Sequence, residues 1–254
     1  MSLRFAQGDA ILLCAFKYNL KSLEKLVLNL SESVEFDPRD RKQFVFHETP
    51  LRRFIQWSLT QLFRLIMKLE VHGVENVPLD GALIVACNHV TNFDVIPMQI
   101  SLPRVIFFMG KAELFKFFLI DIVFRNAGAF PVYRGEKDAW AMRHARKVLD
   151  HGQTLGMFPE GTRSKGKGLG VAKTGTARLA IESNCPILPM AITGSDEFFK
   201  HFPRRTHVTV TYLPPLLPKP DETPLALTDR LMFALASALP EDMRGVYAEI
   251  PKGF

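Results

Sequence analysis

The sequence predicts an α/β fold, a mainly parallel central sheet flanked by helices, with an amphipathic helical segment ahead of it. Three observations predict it. Short apolar runs of strand length recur along the chain, stretches of helical periodicity stand between them, and reactive residues follow several of the runs directly. Strands that alternate with helices form parallel sheets covered on both faces. In such sheets ligands gather at the carboxyl ends of the strands.

Taken in order, residues 9–29 place Leu13, Phe16, Leu20, Leu23 and Val27 on one helical face, as in a helix that packs on the main domain. Residues 31–43 are mostly polar and charged and read as a linker. Residues 51–69 form the next expected helix, with Leu51, Phe54, Ile55, Leu62, Ile66 and Leu69 at helical spacing. Arg52, Arg53, Arg64 and Lys68 interrupt that pattern, and Trp57 lies among them. Periodicity leaves two readings open: the helix packs on the main domain, or its basic, aromatic face lies in a membrane interface.

From Val71 the pattern changes. Residues 82–87 and 105–109 fit buried strands. Residues 113–124 read as an apolar helix, and residues 138–151 as a polar-faced helix stopped by Gly152. Residues 155–158 make a third strand and 175–184 a helix of small residues. Two more strands, 187–192 and 208–212, precede a last helix at 228–238.

A chain of 254 residues, 47% of them hydrophobic, buries a full core and excludes a disordered protein. Its net charge of +6 and pI of about 9.3 suit an anionic partner: nucleic acid, an anionic membrane or a phosphate-bearing substrate. No homeodomain, zinc-finger or aromatic RNA-binding signature is present, so nucleic acid is not expected. Cys14, Cys87 and Cys185 are far apart and form no Cys-x-x-Cys pair, which speaks against a zinc ribbon or a disulfide framework and fits a reducing compartment. No run reaches the ~18–20 apolar residues of a spanning helix. The short run at 10–16 follows Asp9 without a basic leader, so no signal peptide is expected.

Two segments carry chemistry. In Asn88-His89-Val90-Thr91-Asn92-Phe93-Asp94, His89 and Asp94 follow the first buried strand. That spacing in a strand-to-helix turn lets the carboxylate orient the imidazole and stabilise its protonated form, leaving the other ring nitrogen to take a proton. This is the orienter and base of a hydrolase triad. The nucleophile is missing: there is no Gly-x-Ser-x-Gly elbow, and no cysteine has a convincing electropositive setting. A base without an enzyme nucleophile activates a substrate hydroxyl, which means direct transfer rather than a covalent intermediate.

The second segment, Phe158-Pro159-Glu160-Gly161-Thr162-Arg163-Ser164, follows the third strand, with Lys165, Lys167 and Lys173 among glycines beyond it. Cations and backbone N–H groups in a Gly-rich loop suit a phosphate. The run lacks the Ser or Thr that would hold Mg²⁺ in a nucleotide-binding phosphate loop, and no Asp-rich metal site accompanies it. Lys111 and Arg134 add cations after two further apolar segments.

Four segments in fixed order resemble the glycerolipid acyltransferase family, specifically the 1-acyl-sn-glycerol-3-phosphate acyltransferases: residues 88–94, 128–134, 158–164 and 185–190. The resemblance spans about residues 71–215. It implies the fold of the glycerol-3-phosphate acyltransferases, with His89 as general base and Asp94 as its partner. It also implies that Glu160, Gly161, Thr162 and Arg163 help bind the glycerol phosphate, with Arg134 and Lys111 nearby. By the same resemblance Pro186 and Pro189 would shape the acyl-donor side. The resemblance further implies a donor that is an acyl thioester on coenzyme A or acyl carrier protein, lysophosphatidic acid as the acceptor, and no metal or prosthetic group. Glycerol 3-phosphate, another lysophospholipid or a lyso-aminolipid are the alternative acceptors. A non-catalytic basic membrane-binding protein is the alternative of another class. Where the first block usually has Ser, this chain has Thr91, which keeps the hydroxyl and bears on acceptor preference.

A lipid substrate favours the interfacial reading of residues 51–69. The expected organisation is then a membrane-associating helical segment with its linker over residues 1–70 and an acyltransferase domain over 71–254. The protein is expected to be peripheral or monotopic on the cytoplasmic face of a bilayer.

Overall fold

A computed structural model describes residues 37–47, 49–133, 138–198, 200 and 203–249. The expected helix at 9–29 and Arg134 lie outside them. The chain divides into two compact units, Met1–Gln43 and Phe44–Phe254. The described part of the first is a 3₁₀ turn, Pro38–Arg41, capped by the Asp37 carboxylate, which accepts from Arg39 N at 2.9 Å. Residue 70, the expected boundary, falls inside a strand of the second unit.

That unit holds a seven-stranded sheet: β1 (Met67–His72), β2 (Leu83–Cys87), β3 (Ile106–Lys111), β4 (Ala129–Val132), β5 (Thr154–Met157), β6 (Ile187–Thr193) and β7 (Thr206–Tyr212). Their order is β1-β7-β6-β2-β5-β3-β4. β2 is paired in parallel with both β5 and β6, and β3 with β5 and β4. β7 runs antiparallel to β6, with β1 parallel to β7. The expected mainly parallel sheet therefore carries a reversed edge. Every residue of β2 is fully buried, as a strand covered on both faces requires.

Among the described residues six helices surround the sheet: α1 (Pro50–Ile66), α2 (Val95–Ser101), α3 (Phe118–Asn126), α4 (Ala139–Asp150), α5 (Gly175–Ser183) and α6 (Pro224–Ser237). One apolar cluster joins Ile84, Phe107, Leu155, Leu179 and Leu231; the other joins Leu83, Val85, Met98, Leu188 and Val210. Alternate residues of β2 thus feed opposite faces, as the strand's period of two dictates.

The details at α1 depart from the sequence reading. Thr49 caps the helix by accepting from Arg52 N at 3.1 Å, and Pro50 opens it. The helix ends at Ile66 rather than residue 69, because Met67 begins β1 and pairs with Thr206. Arg52 is not on the outer face. Its guanidinium donates to the carbonyls of Val45, His47 and Asn126 at 3.0, 2.9 and 2.8 Å, and it lies over the Phe107 ring. The outer face carries Leu51, Phe54, Trp57, Leu62 and Leu65, all exposed. The expected helix at 113–124 is broken at Phe117, whose extended backbone separates a 3₁₀ turn (Ala112–Lys116) from α3.

Candidate active site

The carboxyl ends of β2, β5 and β6 lie side by side, so the loops after them converge. Asn88, directly after β2, prolongs the sheet with its side chain. Its amide donates to Ile192 O at 2.9 Å and accepts from Ile192 N at 2.8 Å. The next residue is His89, and its backbone is held by the loop after β5. Glu160 Oε1 accepts from His89 N at 2.9 Å, while Ser164 N donates to His89 O at 2.7 Å. The imidazole stacks on the Phe158 ring, with centroids 3.9 Å apart.

Asp94 closes the turn. Its Oδ2 accepts from Val90 N at 2.7 Å and from Thr91 N at 2.9 Å, and lies 2.8 Å from His89 Nδ1. An oxygen that already takes two donors is an acceptor, so the proton between the two side chains belongs to Nδ1. Nε2 is left with a lone pair. Asp94 Oδ1 accepts from Thr91 Oγ1 at 3.2 Å and from Ser195 Oγ at 2.6 Å. Asp94 is fully buried and His89 nearly so.

Glu160 is buried too. Its second oxygen accepts from Gly170 N at 2.8 Å, so both oxygens are engaged by backbone donors. Burial pushes its carboxyl above the usual range; the N–H groups of Gly170 and His89 oppose this, and nearby Asp94 adds to it. Beyond Glu160 the loop turns outward. Gly161 adopts φ +67°, and a Cβ there would meet the Lys173 side chain at 3.2 Å. Thr162, Arg163, Lys165, Lys167 and Lys173 are exposed. Lys111, at the end of β3, is half-exposed and pairs with Glu113 at 3.2 Å.

Thiols and hydroxyls near the pair are not set up as nucleophiles. Cys87 is fully buried, and burial, with Asp94 and Glu160 nearby, pushes its thiol well up. Burial raises Cys185 to about 11. Ser195 reaches the aspartate rather than the imidazole. Among the described residues, no three His, Cys, Asp or Glu side chains converge as metal ligands.

A model of the acyltransferase family matches residues 68–193. A 1-acyl-sn-glycerol-3-phosphate acyltransferase of Bacillus subtilis is 31% identical over 152 residues, which cover 58% of this chain and 75% of the relative. The chain belongs to the acyltransferase family. A second relative of this acyltransferase, the 1-acyl-sn-glycerol-3-phosphate acyltransferase of Borreliella burgdorferi, is 30% identical over 135 residues, or 52% of this chain and 54% of the relative. The acyltransferase thus spans three quarters of the first relative and about half of the second. Its fold is that of the 1-acyl-sn-glycerophosphate acyltransferase PlsC from Thermotoga maritima, at TM-score 0.62 and 24% identity over 74% of this chain and 79% of that one.

The structure therefore brings His89, Asp94 and Glu160 together and sets Gly161, Thr162 and Arg163 on the adjoining loop. Two contacts of the candidate site are not foreseen from the sequence: Phe158 against the imidazole and Ser195 against the aspartate. Phe158 opens the second chemical segment but reads there as the end of a strand. Nothing local marks Ser195.

Proposed function

We propose that the protein moves a fatty acyl group from an acyl thioester on coenzyme A or acyl carrier protein to the free hydroxyl of 1-acyl-sn-glycerol 3-phosphate, giving phosphatidic acid. The reading rests on one observation above all: Asp94 holds His89 Nδ1, while Nε2 has no hydrogen-bond partner among the described residues. With no thiol or hydroxyl of the described residues hydrogen-bonded to Nε2, this base is suited to a hydroxyl that arrives with the substrate.

The chemistry follows in two transfers. As the acceptor oxygen attacks the thioester carbonyl, its proton passes to His89 Nε2 and an O–C bond forms. The tetrahedral intermediate then breaks its C–S bond, and the imidazolium returns the proton to the departing sulfur. Asp94 stabilises the imidazolium between those steps. Arg163 and the lysines after it supply cations for the acceptor's phosphate.

A peripheral or monotopic place on the cytoplasmic face of a bilayer is part of the same reading. Among the described residues no helix is long and apolar enough to cross a membrane. The outer face of α1 nevertheless exposes Phe54 and Trp57 by 62% and 61%, and Phe117, Phe118 and Leu119 at the start of α3, which packs on α1, are exposed as well. Apolar surface of that extent favours a lipid interface over water. A groove of about 730 Å³ beside α1, lined by Leu65, Leu69 and Ile100 together with Arg64, Lys68 and Arg205, adds the cations that an anionic surface attracts.

Purified protein incubated with lysophosphatidate and acyl-CoA should release free thiol. His89→Ala should cut that release by about 10²- to 10⁴-fold while the variant still folds, as its circular dichroism spectrum would show. Equal rates from variant and wild type would sink the mechanism. A panel of other lyso-acceptors, each offered with both thioester carriers, fixes the acceptor and the donor.

A further inference from the structure

Asp94 is held by more than the turn that carries it. Four contacts of its carboxylate come from residues 89–91, which neighbour it in sequence. The remaining one, at 2.6 Å and the shortest, comes from Ser195 across 101 residues of chain. Ser195 is 1% exposed and begins the 3₁₀ turn Ser195–Glu197 that follows β6. Its hydroxyl does not cap that turn.

Two constraints independent of Asp94 put the hydroxyl there. The Asn88 amide fixes Ile192, near the end of β6, to the residue just before His89. Gly194 then turns the chain at φ +80°, so close to β7 that a Cβ would fall 2.2 Å from His207 O. The end of β6 is thus built against the catalytic turn, and Ser195 is aimed at Oδ1 without depending on Asp94 for its place. Without the serine hydroxyl, Oδ1 would keep only the longer bond from Thr91. The carboxyl group would then be free to tilt about Oδ2, which Val90 N and Thr91 N keep beside Nδ1, so the imidazole would be aimed less firmly while the charge beside it stayed.

We propose that Ser195 is a positioning residue of the transfer reaction: its hydroxyl holds the Asp94 carboxylate in its orientation toward His89 Nδ1 and tempers the charge that Asp94 presents to the imidazole. The proposal rests on the reading of His89 as general base. The serine acts in two ways. It fixes the geometry of the His89–Asp94 bond, and it shares the carboxylate's negative charge with a further donor, so that the imidazolium is held less strongly. The other titratable groups around the pair stay in place when Ser195 changes. They are Glu160, bound to backbone N–H groups, and the buried Cys87 thiol. Asp196 and Glu197, on the serine's own turn, pair with Lys200 at the surface.

The test compares Ser195→Ala and Ser195→Thr with the wild-type chain in the thiol-release assay across pH, with His89→Ala alongside. Ser195→Ala should lower kcat about ten- to hundredfold, the range that a hydrogen bond to a charged group supports, with little change in acceptor KM. It should also move the acid limb of the kcat/KM profile to higher pH, because a carboxylate with one donor fewer holds the imidazolium more tightly. Ser195→Thr, which restores the hydroxyl, should recover both rate and limb. An alanine variant with wild-type kcat overturns the proposal, and so does a slowed one whose acid limb stays put, since a merely structural serine would do that. If His89→Ala keeps its rate, the base itself is misassigned, a failure distinct from that of Ser195.

Discussion

The loops after β2 and β5 meet at His89 and are built in opposite ways. The loop after β2 turns inward. Asp94 is fully buried, both of its oxygens are saturated with donors, and the aspartate lies on the residues beside it. The loop after β5 turns outward once Glu160 has gripped His89 N. Gly161, Lys165, Gly166 and Gly168 all take positive φ, and the cations among them face solvent. On the proposed mechanism one loop holds the reacting atoms, which must not stray by even an ångström. The other, on the same proposal, offers charge to a ligand that brings its own shape. Glu160 and Ser164 bind the second loop to the first through the two ends of a single peptide residue, His89 N and His89 O.

Substitutions on the inward loop should therefore act on turnover, and those on the outward loop on acceptor binding. The largest effect is expected from Asp94→Asn. It puts an amide N–H₂ where an acceptor is required and turns the imidazole to the wrong tautomer, a change that costs about 10⁴-fold in a serine-protease triad. Steady-state thiol release should show that loss in kcat with acceptor KM nearly intact. A loss confined to KM would erase the contrast between the loops. Arg163→Ala comes next, lowering kcat/KM for a phosphate-bearing acceptor by about ten- to hundredfold, the scale of a charge-assisted hydrogen bond. Its stability should stay within about 0.5 kcal/mol of wild type, as an exposed side chain predicts. Indifference of the same variant to the acceptor's phosphate would move the anion site elsewhere.

What the sequence makes legible follows from how local each signal is. β2 reads as a strand because burial on both faces leaves an unbroken apolar run, Leu83-Ile84-Val85-Ala86-Cys87. β1 does not, because Met67 and Leu69 satisfy helical spacing and strand alternation alike, and only pairing with β7 decides between them. The His89–Asp94 pair is visible because one turn encodes it. The Asp94–Ser195 bond is not, since it depends on β6 lying beside β2. Arg52 looks no different in sequence from the exposed Arg53. Its burial depends on carbonyls from residues 45, 47 and 126 that fold around it. Glu160 stands out as a carboxylate at a strand end, but sequence alone does not reveal the two backbone N–H groups that take up both of its oxygens.

Glu160 sits at the junction of the two loops and gives the finest test of the contrast. Glu160→Gln replaces one acceptor by a donor, which then faces a backbone N–H. It should destabilise the fold by about 1–3 kcal/mol, read from urea midpoints, and slow kcat by less than Asp94→Asn does. The smallest effect lies in how that stability gap depends on pH. Burial raises the Glu160 carboxyl above its usual range, so the folded chain holds this proton more readily than the unfolded one. Its contribution is fully present below the ordinary glutamate value of about 4.3 and is lost as pH rises through the raised value. The glutamine variant has no such proton. Wild type should therefore lose part of its advantage over Glu160→Gln as pH rises from about 4, the unfolded glutamate's range, through the raised value of the folded chain. A gap that widens instead would mean that the two N–H groups outweigh burial, making the junction an anion-stabilising site like the loop after β2.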